Sequence, residues 1–71
     1  MAFLQYEVWG ITDQHEELIE CVPTLKEAEE IAEAEREFCD EVYIMEDTDD
    51  DLKEVRRYQG LLAQLVRAED S

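Results

Sequence analysis

Apolar and polar residues alternate over Phe3-Leu4-Gln5-Tyr6-Glu7-Val8-Trp9, which places Leu4, Tyr6 and Val8 on one face of a strand and Phe3, Gln5, Glu7 and Trp9 on the other. A polar stretch from Thr12 to Glu16 separates it from Leu18-Ile19-Glu20-Cys21-Val22, which reads as the returning strand of a hairpin ended by Pro23. Thr24-Leu25-Lys26-Glu27 then has the form of a capping box: a Thr24 hydroxyl that accepts from the Glu27 amide, and a Glu27 carboxylate that can reach back. From Leu25 to about Phe38 the helical period turns Leu25, Ala28, Ile31, Ala32 and Phe38 to one side, with Glu29, Glu30, Glu33 and Glu37 facing water. Asp40 and Glu41 mark a turn, and Val42-Tyr43-Ile44-Met45 reads as a third strand, apolar on both faces. The acidic run Asp47-Thr48-Asp49-Asp50-Asp51 leads into an expected second helix from Leu52 to about Ala68, since aspartates suit the positive end of a helix dipole.

These elements predict an α+β fold in one small domain spanning residues 1–71: a three-stranded antiparallel sheet of order 2-1-3 in a β-β-α-β-α arrangement. Helix one covers one sheet face. The C-terminal helix, residues 52–69, lies on the other face or at a dimer interface. On a wheel at 100° per residue its Leu52, Val55, Tyr58, Leu61, Leu62, Leu65, Val66 and Ala68 span about 220°, more than one sheet needs. The second sheet face offers Phe3, Trp9 and either Tyr43 with Met45 or Val42 with Ile44. Small single cores are marginal and twofold dimers are the commonest assembly, so we expect a homodimer formed through Phe3, Trp9, Tyr58, Leu61, Leu62, Leu65 and Val66.

Charge adds a division along the chain. The 21 acidic and 6 basic residues give a net charge of −15, and all but three of the acids fall within residues 1–51, the acidic ββαβ body. Direct nucleic-acid binding is excluded by this balance, because phosphate contacts need an excess of Lys and Arg. No apolar run approaches the ~20 residues of a membrane span. Met1 is followed by mixed polar sequence with no secretory signal pattern, so a cytoplasmic location is expected. Halophilic adaptation is one account of such acidity. A second is a basic protein partner for Glu29, Glu30, Glu33 and Glu37, since a rail of carboxylates about 6 Å apart along a helix resembles the phosphates of a nucleic-acid strand.

Candidate chemistry is sparse. An EF-hand loop begun at Asp47 would put Leu52 at the glycine position and Tyr58 at the bidentate glutamate position, so no calcium site is expected. Zinc would draw on His15, Cys21 and Cys39, but the topology sends Cys21 to the opposite end of the sheet from the other two, and a structural site wants four ligands. The same separation forbids a Cys21–Cys39 disulfide within one chain. A Cys39 nucleophile would need His15 as base across a loop, and two glycines, Gly10 and Gly60, cannot build a phosphate-cradling loop. No catalytic residue, metal ligand or cofactor is assigned. The expected function is therefore non-enzymatic: a small acidic adaptor, regulator or inhibitor acting through protein–protein contact and self-association. The alternative is an acidic mimic that occupies a nucleic-acid-binding site. A third reading is a halophile-type acidic domain with a thiol- or metal-linked activity at Cys39 and His15.

Overall fold

A computed structural model describes residues 4–61. Its elements are β1 (Leu4–Thr12), β2 (His15–Val22), α1 (Leu25–Glu35), β3 (Glu41–Thr48) and β4 (Leu52–Gln59). The four strands form one sheet of order β2-β1-β3-β4, every neighbouring pair antiparallel. The architecture is α+β with an antiparallel sheet, and the 2-1-3 order stands within it, but a fourth strand replaces the expected second helix over Leu52–Gln59. The rest of the expected 52–69 helix after Leu61 lies outside the described residues, as do Phe3, Leu62, Leu65 and Val66 of the expected self-association surface. No helix among the described residues is long and apolar enough to cross a membrane.

Local chemistry explains the first three connections. Asp13 and Gln14 both adopt positive φ, 52° and 68°, closing a two-residue hairpin whose twist matches that of the flanking strands. Asp13 N–H also donates to the Asp40 carboxylate at 3.0 Å, which ties the hairpin tip to the start of β3. Thr24 is extended (φ −127°, ψ 150°) and its hydroxyl accepts from Glu27 N–H at 3.2 Å, so the capping half of the box that opens α1 is formed. The helix ends at Glu35, short of Phe38. Arg36 caps it: its N–H still donates to the Ala32 carbonyl at 3.1 Å, but its Nε donates to the Gln59 carbonyl at 3.0 Å and its own carbonyl accepts from Leu61 N–H at 2.8 Å. Phe38, expected to face the core, is 66% exposed as a result.

The aspartate run makes a turn of a different kind from the one expected. Thr48 N–H donates to the Asp51 carbonyl at 2.9 Å, Asp51 N–H donates to the Thr48 hydroxyl at 3.1 Å, and the Asp51 carboxylate accepts from Leu52 N–H at 2.8 Å. These bonds reverse the chain and lay Leu52–Gln59 along β3, whose backbone groups on that side would otherwise be unpaired. Charge favours the same outcome, because Lys53 pairs with Glu46 at 3.8 Å, Arg56 with Glu29 at 3.2 Å and Arg57 with Glu41 at 3.0 Å. Three bases of β4 are thus paired with acids of β3 and α1.

Helix α1 packs on the face formed by Tyr6, Val8 and Gly10 of β1 and Val42 and Ile44 of β3. The buried core is Val8, Ala28, Ala32, Cys39, Val42 and Ile44, flanked by Tyr6, Ile19, Val22, Ile31 and Tyr58. Alanine at both buried helix positions lets the helix backbone approach the sheet closely. Both edge strands carry a bulge, with Ile19 the extra residue on β2 and Val55 the extra residue on β4. Each edge is also charged, by Glu16, Glu17 and Glu20 on β2 and by Lys53, Arg56 and Arg57 on β4. Bulges and charges together discourage strand addition at either edge.

Candidate functional site

One helix covers one face of the sheet, and no described element packs on the other. That uncovered face is defined by register. Leu18, Trp9, Tyr43 and Arg57 pair in turn across β2, β1, β3 and β4, forming a single row over all four strands. The next row along is Cys21, Glu7, Met45 and Glu54, and on the other side lie Glu16, Ile11, Glu41 and Gln59. The face therefore has an aromatic and aliphatic centre with carboxylates around it.

The side chains of the central row are held in place. The Trp9 and Tyr43 rings lie parallel within 3° with centroids 6.2 Å apart, an offset stack rather than a face-to-face one. Trp9 Nε1 donates to the Glu7 carboxylate at 3.0 Å, and the Tyr43 hydroxyl donates to the Glu16 carboxylate at 2.9 Å. The Arg57 guanidinium sits 4.9 Å from the Tyr43 ring centre. It donates to both oxygens of Glu54, at 2.7 and 3.0 Å, and to Glu41 at 3.0 Å. Burial, and then the hydrogen bond to Glu16, push the Tyr43 phenol up to about 12, so it stays protonated and donating through the physiological range. The hydrogen bond from Arg57 holds the Glu54 carboxyl below the usual carboxylate range.

The residues expected to form one self-association surface are divided by the sheet. Trp9 lies on the uncovered face, whereas Tyr58 is opposite Val42 on the helix side, with the guanidiniums of Arg36 and Arg56 at 5.7 and 5.6 Å from its ring. Leu61 is half-buried at the end of α1. The expected acidic rail is also interrupted. Glu29 is paired with Arg56 at 3.2 Å and Glu33 with Arg36 at 3.3 Å, while Glu37 lies beyond the end of α1; of the four, Glu30 alone is left exposed on the helix without a basic partner among the described residues.

His15 and Cys39 do share one end of the sheet, as the topology implied, and line a cavity of about 230 Å³ with Glu17, Glu35 and Phe38. Among the described residues no three His, Cys, Asp or Glu side chains are grouped to hold a metal ion. The two cysteines are free, Cys21 exposed and Cys39 buried. A thiol reagent at neutral pH is expected to modify Cys21 promptly and Cys39 at least ~100-fold more slowly until the chain is unfolded, because access controls thiol reaction; two equal fast phases under native conditions would contradict the placement of Cys39.

Of this face, Trp9 is legible from alternation, Tyr43 is one of two options, and Arg57 falls within the expected second helix. One signal pointed to the strand: Gly60 inside a helix interior costs about 1 kcal/mol relative to alanine, an odd residue for the middle of a helix of that length. No family model, curated protein or solved structure matches the chain, so its functional reading rests on the arrangement of these residues.

Proposed function

We propose that this chain is a small non-catalytic protein-binding module that engages its partner through the uncovered sheet face. The observation that carries this reading is the pre-ordered row Leu18–Trp9–Tyr43–Arg57. Trp, Tyr and Arg are the residue types that dominate binding energy at interfaces, and here the polar tip of each is already held by a carboxylate. Side chains fixed before contact lose little rotamer freedom on binding, which otherwise costs about 0.5–1.5 kcal/mol each. The edge strands are blunted, so contact is directed to the face. The carboxylates here serve as acceptors for Trp9, Tyr43 and Arg57, which accounts for them without an acid–base role.

A nucleic-acid mimic acting through Glu29, Glu30, Glu33 and Glu37 is the weaker reading, since Arg56 and Arg36 neutralise two of the four in cis. Self-association through a broad apolar second helix loses its basis over Leu52–Gln59, which is strand.

A photoreactive residue at Leu18, which is 43% exposed on this face, tests the reading against one at Phe38, 66% exposed at the helix side. The expected result in cell extract is a discrete adduct from position 18 that drops at least ~10-fold with Trp9→Ala, in line with the ≥ 2 kcal/mol that central aromatic anchors contribute. Adducts of equal yield from both positions, or a position-18 adduct indifferent to Trp9→Ala, would sink it.

A further inference from the structure

The charge of the uncovered face and one interaction already made within it identify the kind of partner. Among the described residues five carboxylates, Glu7, Glu16, Glu41, Asp47 and Glu54, stand on this face against one base, Arg57. Arg57 shows how such a face holds a cation. Its guanidinium lies 4.9 Å from the Tyr43 ring centre and is gripped from the side by Glu54 and Glu41. Trp9, one strand away, repeats the components: a ring parallel to that of Tyr43, and a carboxylate, Glu7, bonded at its edge. Among the described residues no basic side chain pairs with Glu7 or Glu16, and no cation lies over the Trp9 ring. Glu7 accepts from Trp9 through Oε1, which leaves Oε2 for a second donor.

Resting on the reading of this face as a protein-docking surface, we propose that the partner is a protein presenting an arginine-bearing segment, with one arginine stacked on Trp9 and hydrogen-bonded to Glu7. Indole is the strongest of the aromatic partners for a cation. Arginine fits better than lysine because a planar guanidinium can stack on the ring and bond a carboxylate at once. Leu18, beside Trp9 in the same row, provides apolar surface for the aliphatic stem. A second copy of this chain is disfavoured as the occupant, because it would set five further carboxylates against these five, and like charges across an interface oppose association.

The test uses the full chain and a capped octapeptide of alternating arginine and glycine, compared with the same peptide carrying neutral citrulline at each arginine. Binding is read by calorimetry and by the emission of Trp9, the single tryptophan. Two charge-matched variants locate the contact: Glu7→Gln with Glu16→Gln on the sheet face, and Glu30→Gln with Glu37→Gln on the helix side. We expect saturable binding of the arginine peptide with a change in Trp9 emission, at least ~10-fold weaker binding of the citrulline peptide, at least ~10-fold loss in the sheet-face variant and less than ~2-fold loss in the helix-side variant. Equal losses in the two variants would mean diffuse attraction to an acidic chain and overturn the proposal, as would equal binding of the citrulline peptide or no binding. So would a sedimentation mass of two chains that Trp9→Ala reduces to one and that the peptide leaves unchanged, which would give the face to a second copy. If the peptide result fails while the position-18 adduct still depends on Trp9, the cationic partner falls and the docking face stands; if both fail, both readings fall.

Discussion

Gly60→Ala is expected to destabilise the protein by about 3 kcal/mol, the upper range for forcing atoms into filled space, and to lower its melting temperature by roughly 12–24 °C at ~4–8 °C per kcal/mol. A Cβ at this position would overlap the Cys39 carbonyl oxygen and lie 2.6 Å from that of Asp40. Both obstacles are backbone, so no rotamer change relieves them. Gly60 N–H donates to the Asp40 carbonyl at 2.8 Å, and the next residue's N–H donates to Arg36. The glycine therefore lets the end of β4 close against the α1–β3 connection. The prediction is discriminating in sign. In the interior of a helix running from Leu52 onward, the same substitution would stabilise by about 1 kcal/mol. Thermal unfolding of the single variant decides it, and a raised melting temperature would refute the strand end described here.

The second large effect is expected in the core. Ile44 is fully buried at the centre of the helix-facing side of β3, opposite Val8. Ile44→Ala is expected to cost about 2–5 kcal/mol, from lost transfer energy and the cavity left behind. A chain of this length has a total stability of roughly 4–11 kcal/mol at ~0.05–0.15 kcal/mol per residue, so the variant should unfold at close to half the denaturant concentration or be largely unfolded in buffer. Leu52→Ala is the control, because Leu52 is 51% exposed; its cost should stay within ~0.5 kcal/mol. Similar midpoints for the two variants in urea would show that Ile44 is not part of a packed core.

Reading the chain by periodicity recovers the hairpin, α1 and β3, and fails over Leu52–Gln59 for a physical reason. A strand is legible when its residues alternate between two environments. In β4 the extra residue Val55 breaks the alternation: Lys53 points to the helix side, and after the bulge Arg56 and Tyr58 do, leaving Leu52, Glu54, Arg57 and Gln59 on the uncovered face. The resulting spacing of Leu52, Val55 and Tyr58 imitates a helix. The expected end of α1 at Phe38 failed for a related reason. The helical pattern continues past Glu35, but Arg36 is recruited by the end of β4, a contact distant in sequence.

The candidate site divides in the same way. Trp9 stands out because alternation puts it opposite the core-facing Val8, and a tryptophan left off the core calls for an explanation. Its neighbours in the row do not follow from the chain. Tyr43 shares its face only once the β1–β3 register is known, and Arg57 reaches Tyr43 only because β4 exists.

Local pattern and composition suffice for the capping box that starts α1, the first hairpin, the relative order of the first three strands, the separation of Cys21 from His15 and Cys39, and a net charge of −15. All of these depend on short-range geometry, on chain direction or on composition. The tertiary structure alone decided that residues 52–59 become a strand, since that choice is made by the unpaired side of β3 and by cross-strand ion pairs with Glu41 and Glu46, which no local pattern records. It also assembled the candidate face, because a row of four residues from four strands comes into being only when the register of every pair is set.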